Sequence, residues 1–204
     1  SDYSVGLIPQ NQNEIPKEIG IGNILLQTPD VMLKYGITND KNLKLPYFID
    51  IRESGNIVID TGATDTFNSG IENIVLGMTM KYFESFPANS VKLGVFSSRY
   101  SSWQKLNAFY SAASSFKMTI RKNASTNQYD MGQLLTAIEE RSDETKDKLW
   151  EDGSHDIHEL YEKGVSSQSF QLIVLHDVFK DISEENLNRL HGCVVSGQEC
   201  GVNF

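Results

Sequence analysis

Positive charge is what this chain has least of. Its 18 lysines and arginines stand against 27 aspartates and glutamates, a net charge of −9, and no basic run is longer than Arg121 and Lys122. An acidic surface does not attract a phosphate backbone, so no direct DNA contact is expected. Long apolar runs are missing too. None approaches the roughly 20 residues of a membrane span, so no membrane contact is expected within this segment. The opening residues, SDYSVGLIPQ, lack a charged stretch followed by an apolar core, which excludes reading them as a signal peptide. A cytoplasmic location follows as the expectation, either free or as the cytoplasmic part of a membrane-anchored protein. Cysteine is rare: Cys193 and Cys200 are the two present, and without an export signal they are expected to stay reduced. For the same reason the glycosylation pattern at Asn123 carries no weight. Histidine is rare as well, and no Ser-His-Asp or Cys-His grouping stands out. His155 and His158 have a metal-like spacing, but no third ligand is placed, and they read as a polar loop and helix start.

What is present suits one ordinary α/β domain. The 204 residues can bury a real core. Residues 1–30 hold three of the five prolines and read as an extended arm or linker remnant, with strand-like pieces such as 19–26. Residues 31–204 read as a single domain that stops in mid-element. Residues 31–37 look like a strand or turn leading into a hairpin. Residues 45–52 look like a strand, 53–56 like a turn, and 56–60 like the returning strand. Further strands are expected at 91–97 and 169–175, with a short one at 117–120 and the start of another at 201–204. Helices are expected at 103–116, 131–150 and 157–163, and after Ser183, which opens an incomplete capping box. The charged run 140–148 in the second of these reads as a solvated helix face. Strands and helices alternate from residue 56 onward, the pattern of a mostly parallel sheet flanked by helices.

The most informative stretch is 56–80, NIVIDTGATDTFNSGIENIVLGMTM. A β-branched run is followed by a loop. Apolar residues then recur at Ile71, Ile74, Val75, Met78 and Tyr82, the spacing of one helix face, with an end expected near Phe86 and Pro87. Strand, loop and helix are the setting of a phosphate-binding loop. Laid on the template G-x-x-x-x-G-K-[ST], Gly62 and Ser69 fit. Phe67 stands at the second glycine and Asn68 at the lysine. A second buried strand, LIVL, is followed by His176 and Asp177. An aspartate there is where a P-loop ATPase holds its magnesium. The next residue is Val178, where many such enzymes carry the glutamate that activates water.

Three segments resemble the FtsK/SpoIIIE-type ATPase domains, especially those of multidomain DNA translocases and type VII secretion ATPases. LPYFIDIRESGNIVIDTGATDTFNSGIENIVLGM is similar to that family's strand, phosphate loop and helix. VKLGVFSS is similar to the next core strand. FQLIVLHDVFKDISEENLNRLHGCVVSGQECGVNF resembles the Walker B strand, the turn and helix after it, and the strand that follows. The likeness covers about residues 20–204, with a diverged middle around 98–168. It implies a P-loop NTPase fold of the RecA-like kind with an N-terminal β-hairpin arm. It also implies partners: neighbouring ATPase domains of the same polypeptide, and an oligomer of the intact protein.

The departures from the family imply a degenerate Walker A. Asn68 cannot bridge the β- and γ-phosphates as a lysine does. Phe67 crowds a place where glycine lets the backbone approach. Asp65 adds a negative charge to the cradle. Losing a charge-assisted phosphate contact costs a few kcal/mol. The expectation is a non-hydrolysing module that scaffolds or regulates neighbouring motor domains, with no cofactor and no catalytic residue. Gly62, Asn68 and Ser69 would form a vestigial phosphate loop and Asp177 its Walker B partner. The alternative is an active motor domain with an unusual loop. It would bind ATP and magnesium, Ser69 and Asp177 holding the metal, with Lys92, Arg99 or a neighbouring subunit replacing the lysine.

Overall fold

The computed structural model describes residues 15–36, 41–52, 55–60, 69–87, 90–97, 105, 108, 128–165, 168–179 and 182–204. Strand β1 (Glu18–Gln27) runs antiparallel to β2 (Asn42–Asp50), with a bulge between Gly20 and Gly22. Helix α1 (Asp30–Lys34) lies between them. Here the expected strand or turn at 31–37 is replaced by a helical turn. Pro29, at φ −56°, is preset for a helix start, and Asp30 sits where the helix dipole favours an anion. The hairpin also forms differently from the sequence reading. The strand at 42–50 pairs back with β1, not forward with 56–60.

Helix α2 (Ser69–Ser85) ends just before Pro87, as the periodicity predicts. Its inward face is rotated from the expected one. Glu72, Thr79, Tyr82 and Phe86 are buried, whereas Ile74 is 54% exposed. Thr79 is accommodated because its hydroxyl donates to the Val75 carbonyl, 2.8 Å away. Strands β3 (Val91–Ser97) and β4 (Phe170–His176) are parallel, and β5 (Val202–Asn203) follows on the far side of β4, giving the order β3-β4-β5. Gly201 turns the chain into β5 at φ 77°; a Cβ there would lie 2.9 Å from the Phe170 ring.

Both faces of this sheet are covered, which is why its strands read as nearly continuous apolar runs. On one face Leu93, Val95, Leu172 and Val174 meet Val75 and Leu76 of α2. On the other, Phe96, Ile173 and Val202 meet Met131, Leu135 and Ile138 of α3 (Gln128–Asp152) and Leu190 and Cys193 of α5 (Glu184–Ser196). A third cluster joins the base of the hairpin (Ile19, Ile49, Ile51) to Tyr82, Phe86, Phe170 and Ile157 of α4 (Ile157–Glu162). The result is a mixed α/β fold whose parallel sheet is flanked by helices, with the hairpin arm attached at the amino end of the strands.

Two side chains cap helices, Ser183 as the sequence suggests and Asp156 as a finding of the structure. Ser183 accepts from the Asn186 N–H at 3.2 Å to start α5, and Asp156 accepts from the Glu159 N–H at 2.9 Å to start α4. Arg189 of α5 donates to both carboxylate oxygens of Glu139 of α3, at 3.0 and 2.6 Å. The charged run in α3 is solvated on one side only. Asp143 and Asp147 are exposed, but Ser142, Thr145 and Leu149 are buried. Arg141 turns inward, donating to Gln168 Oε1 at 2.8 Å, to Thr145 Oγ1 and to the Ser169 carbonyl. Among the described residues no helix is long and apolar enough to cross a membrane.

The predicted helix at 103–116 and strand at 117–120 lie outside the described residues, apart from Lys105 and Ala108, which are helical.

Candidate functional site

The carboxyl ends of β3 and β4 carry Ser97, His176 and Asp177. Ser97, the fully buried last residue of β3, is in register with His176, the last of β4. Their Oγ and Nδ1 are 2.9 Å apart, tying the two strand ends together. Asp177 comes next, half-buried, at φ 52°. A left-handed backbone is uncommon outside glycine, and aspartate is among the residues that tolerate it. Val178 then turns back into the core between sheet and α3, while Phe179 is exposed.

Residues 56 and 57 lie along the other edge of the sheet. The Ile57 N–H donates to the Phe204 carbonyl at 2.8 Å, and Asn56 Oδ1 accepts from the Phe204 N–H at 2.8 Å. Asn56 Nδ2 reaches the Val194 carbonyl of α5 at 3.2 Å. This segment therefore lies beside the chain end that follows β5, and β5 stands between it and β4. Gly55 permits the close approach, since a Cβ there would fall 2.1 Å from Asn203 Nδ2. The amide of Asn203 is held in turn by the buried Tyr82 hydroxyl, which donates to its Oδ1 at 2.6 Å. Burial pushes the Tyr82 phenol well above its ordinary range.

Gly62 and Asn68 lie outside the described residues, as do Asp65, Phe67 and Arg99. Ser69 is the first residue of α2, and nothing of its side chain is described. The segment bearing Gly62 and Asn68 thus links residues 56–60 to the start of α2. Close by, the buried Glu72 accepts from the Lys105 N–H at 2.6 Å, and Lys105 Nζ donates to Asn73 Oδ1 at 2.6 Å. Lys92 is in the wrong place to replace the missing lysine. It is the second residue of β3 and Ser97 the last, so about 16 Å of strand separates it from the carboxyl end. A lysine side chain does not cover that distance.

The histidine pair does not form a metal site. His155 is exposed and its N–H donates to Glu159 Oε2 at 2.9 Å. His158 is buried, packing its ring 5.0 Å from that of Phe170. Burial lowers its pKa to about 4, so it is neutral at physiological pH. Among the described residues no group of three metal-ligating side chains exists. Cys193 and Cys200 are both free and buried, and burial pushes the Cys193 thiol up to about 11.

Sequence reasoning missed the Asn56, Tyr82 and Asn203 contacts. Each joins residues more than a hundred positions apart, and no local signal marks them. Residues 61–68, which the template aligns with the phosphate loop, contain no lysine or arginine.

The sequence matches no protein-family model and no curated protein. Solved structures do resemble it. EssC (ATPases 2 and 3) from Geobacillus thermodenitrificans superposes with a TM-score of 0.64 at 15% identity, covering 93% of this chain and 32% of that one. The pCW3 conjugation coupling protein TcpA, in its monomer form with ATPγS, gives a TM-score of 0.55 at 15% identity, covering 94% of this chain and 52% of that one. The chain thus spans about a third and about half of these two proteins. It has the fold of the FtsK/SpoIIIE-type P-loop ATPase domains, as the resemblance in its sequence implies.

Proposed function

We propose that this chain is a degenerate ATPase-like module of a larger FtsK/SpoIIIE-like translocase or secretion ATPase, and that it scaffolds or regulates neighbouring motor domains. The observation that carries this reading is a phosphate-loop setting without phosphate chemistry. Residues 56 and 57 run beside Phe204, which follows β5, α2 begins at Ser69, and Asp177 follows β4. Between the first two stand Phe67 and Asn68, where the template asks for glycine and lysine. Without that cation, the negative charge of a triphosphate meets Asp65 and a chain of net charge −9.

The module comprises residues 31–204 with an N-terminal arm, works in the cytoplasm and contacts adjacent ATPase domains of its own polypeptide. The two similar structures, both longer than this chain, are compatible with such neighbours. It makes no DNA contact of its own, takes no cofactor and has no catalytic residue.

Isothermal titration calorimetry tests the central point. MgATP should give no binding at millimolar concentration, and the isolated chain should release no phosphate from it. Phe67→Gly with Asn68→Lys should then install measurable binding, because the scaffold around the loop is in place. Micromolar MgATP affinity in the unaltered chain, lost in both Ser69→Ala and Asp177→Ala, would overturn the proposal in favour of an active domain with an unusual loop.

A further inference from the structure

Three buried polar atoms belong to elements that meet at one place. They are Ser142 Oγ of α3, Gln171 Oε1 of β4 and Gln198 Nε2 of the short helical turn Gln198–Cys200. Among the described residues none of the three has a hydrogen-bond partner. Ser142 is 4% exposed and Gln171 5%. Buried polar atoms are paired as a rule, with protein or with ordered water. Ser142 also departs from the habit of the helices here. Thr79, Ser85, Thr136, Thr145 and Ser196 each donate to the carbonyl four residues earlier. Ser142 makes no such bond, which leaves its hydroxyl for a contact across the interface.

The surrounding contacts bring the three residues together. Gln171 is two positions from Ile173, which packs on α3, so its side chain faces α3 as well. Val202, its partner in β5, shares that face. The Gln171 N–H donates to the Gly201 carbonyl at 2.8 Å, and the Gly201 N–H donates to the Gln198 carbonyl at 2.9 Å. Between these, the Cys200 thiol donates to the Ser142 carbonyl at 3.4 Å. Residues 198–201 therefore touch the backbone of both Ser142 and Gln171. Asn203 is the next residue after Val202 and faces the other way, where Tyr82 of α2 holds its amide, so it takes no part.

We propose that this junction is a binding site for a single ordered water, held between α3, β4 and the turn before β5. Gln171 Oε1 can only accept and Gln198 Nε2 can only donate, while the Ser142 hydroxyl does either. A water that donates to Gln171 Oε1 and accepts from Gln198 Nε2 and Ser142 Oγ satisfies all three. About three hydrogen bonds is the usual number for a buried water. Bound there, it anchors α3 to the turn that leads into β5, and residues 56 and 57 bond to Phe204 just beyond. The site stands apart from the reading of the phosphate loop.

High-resolution crystal structures of the unaltered chain and of Gln171→Met test this. In the unaltered chain, density for one water oxygen should stand about 2.7–3.2 Å from each of the three atoms. Gln171→Met keeps the length of the side chain and removes the acceptor, and that density should disappear. Hydrogen exchange reads the anchoring in solution. The Gly201 and Val202 N–H groups bond to the Gln198 and Gly197 carbonyls. Their exchange should quicken about three- to tenfold in the variant, the worth of one net hydrogen bond. If Gln171→Met does not fold, Ser142→Val takes its place: the methyl group then stands where the water would, and the density should again be lost. Direct contact of Gln198 Nε2 with Gln171 Oε1 or Ser142 Oγ, no water density in the unaltered chain, density that survives the substitution, or unchanged exchange at Gly201 and Val202 overturns the proposal.

Discussion

Asp177 shows how much one residue carries. Sequence alone placed it just beyond a buried strand, and the structure agrees. It could not show the backbone at φ 52°, because that conformation is imposed by the turn from β4 into the buried Val178. For a side chain branched at Cβ a left-handed backbone costs about 1–2 kcal/mol. Asp177→Val should therefore lower stability by about that amount in urea unfolding. Asp177→Asn, which keeps the size and the tolerance for this conformation, should stay within about 0.5 kcal/mol of the parent. Equal losses in both would show that the carboxylate, and not the backbone, is what matters there.

At the scale of elements, strands buried on both faces were the most legible. VKLGVFS and FQLIVLH announce themselves by continuous apolar content, and both lie within a residue of the expected limits. Pairing was not legible. The turn signal at residues 53–56 favoured a local hairpin, yet β2 returns to β1 and residues 56–60 go to the chain end. Turn chemistry is local, whereas this partner choice is set by Ile19, Ile49 and Ile51 packing on α2 and α4. The attachment has a polar clasp as well. Arg52, just past β2, meets both oxygens of Asp156, at 3.1 and 3.2 Å, and Asp156 also caps α4. Burial works to raise the pKa of that carboxyl, but hydrogen bonds from Arg52 and the Glu159 N–H outweigh it and hold it below its ordinary range. Asp156→Ala removes cap and clasp together and should cost about 2 kcal/mol. Arg52→Ala leaves the cap and should cost about half as much. Hydrogen exchange should show the larger part of the Arg52→Ala effect in β1 and β2. Uniform exchange across the whole sheet would refute the clasp.

For the whole molecule, the weak point in acid lies where the hairpin meets the body. His158 sits in that junction, neutral, with no partner for Nδ1 among the described residues and Phe170 against its ring. Burial is the main cause of its low pKa. The positive charge of Arg52 adds to the effect, and Asp156, Glu162 and Asp50 oppose it. The unfolded chain takes up this proton near pH 6.5 and the folded chain only near pH 4. Between those values the unfolded state binds more protons, so stability is lost as the pH falls. Asp156, with its lowered pKa, changes in the same direction. The histidine alone accounts for up to about 3 kcal/mol. Urea unfolding from pH 7 down to pH 4 should show that decline, and His158→Leu should flatten most of it while leaving the smaller carboxylate component. A decline equally steep in the variant would place the acid lability elsewhere.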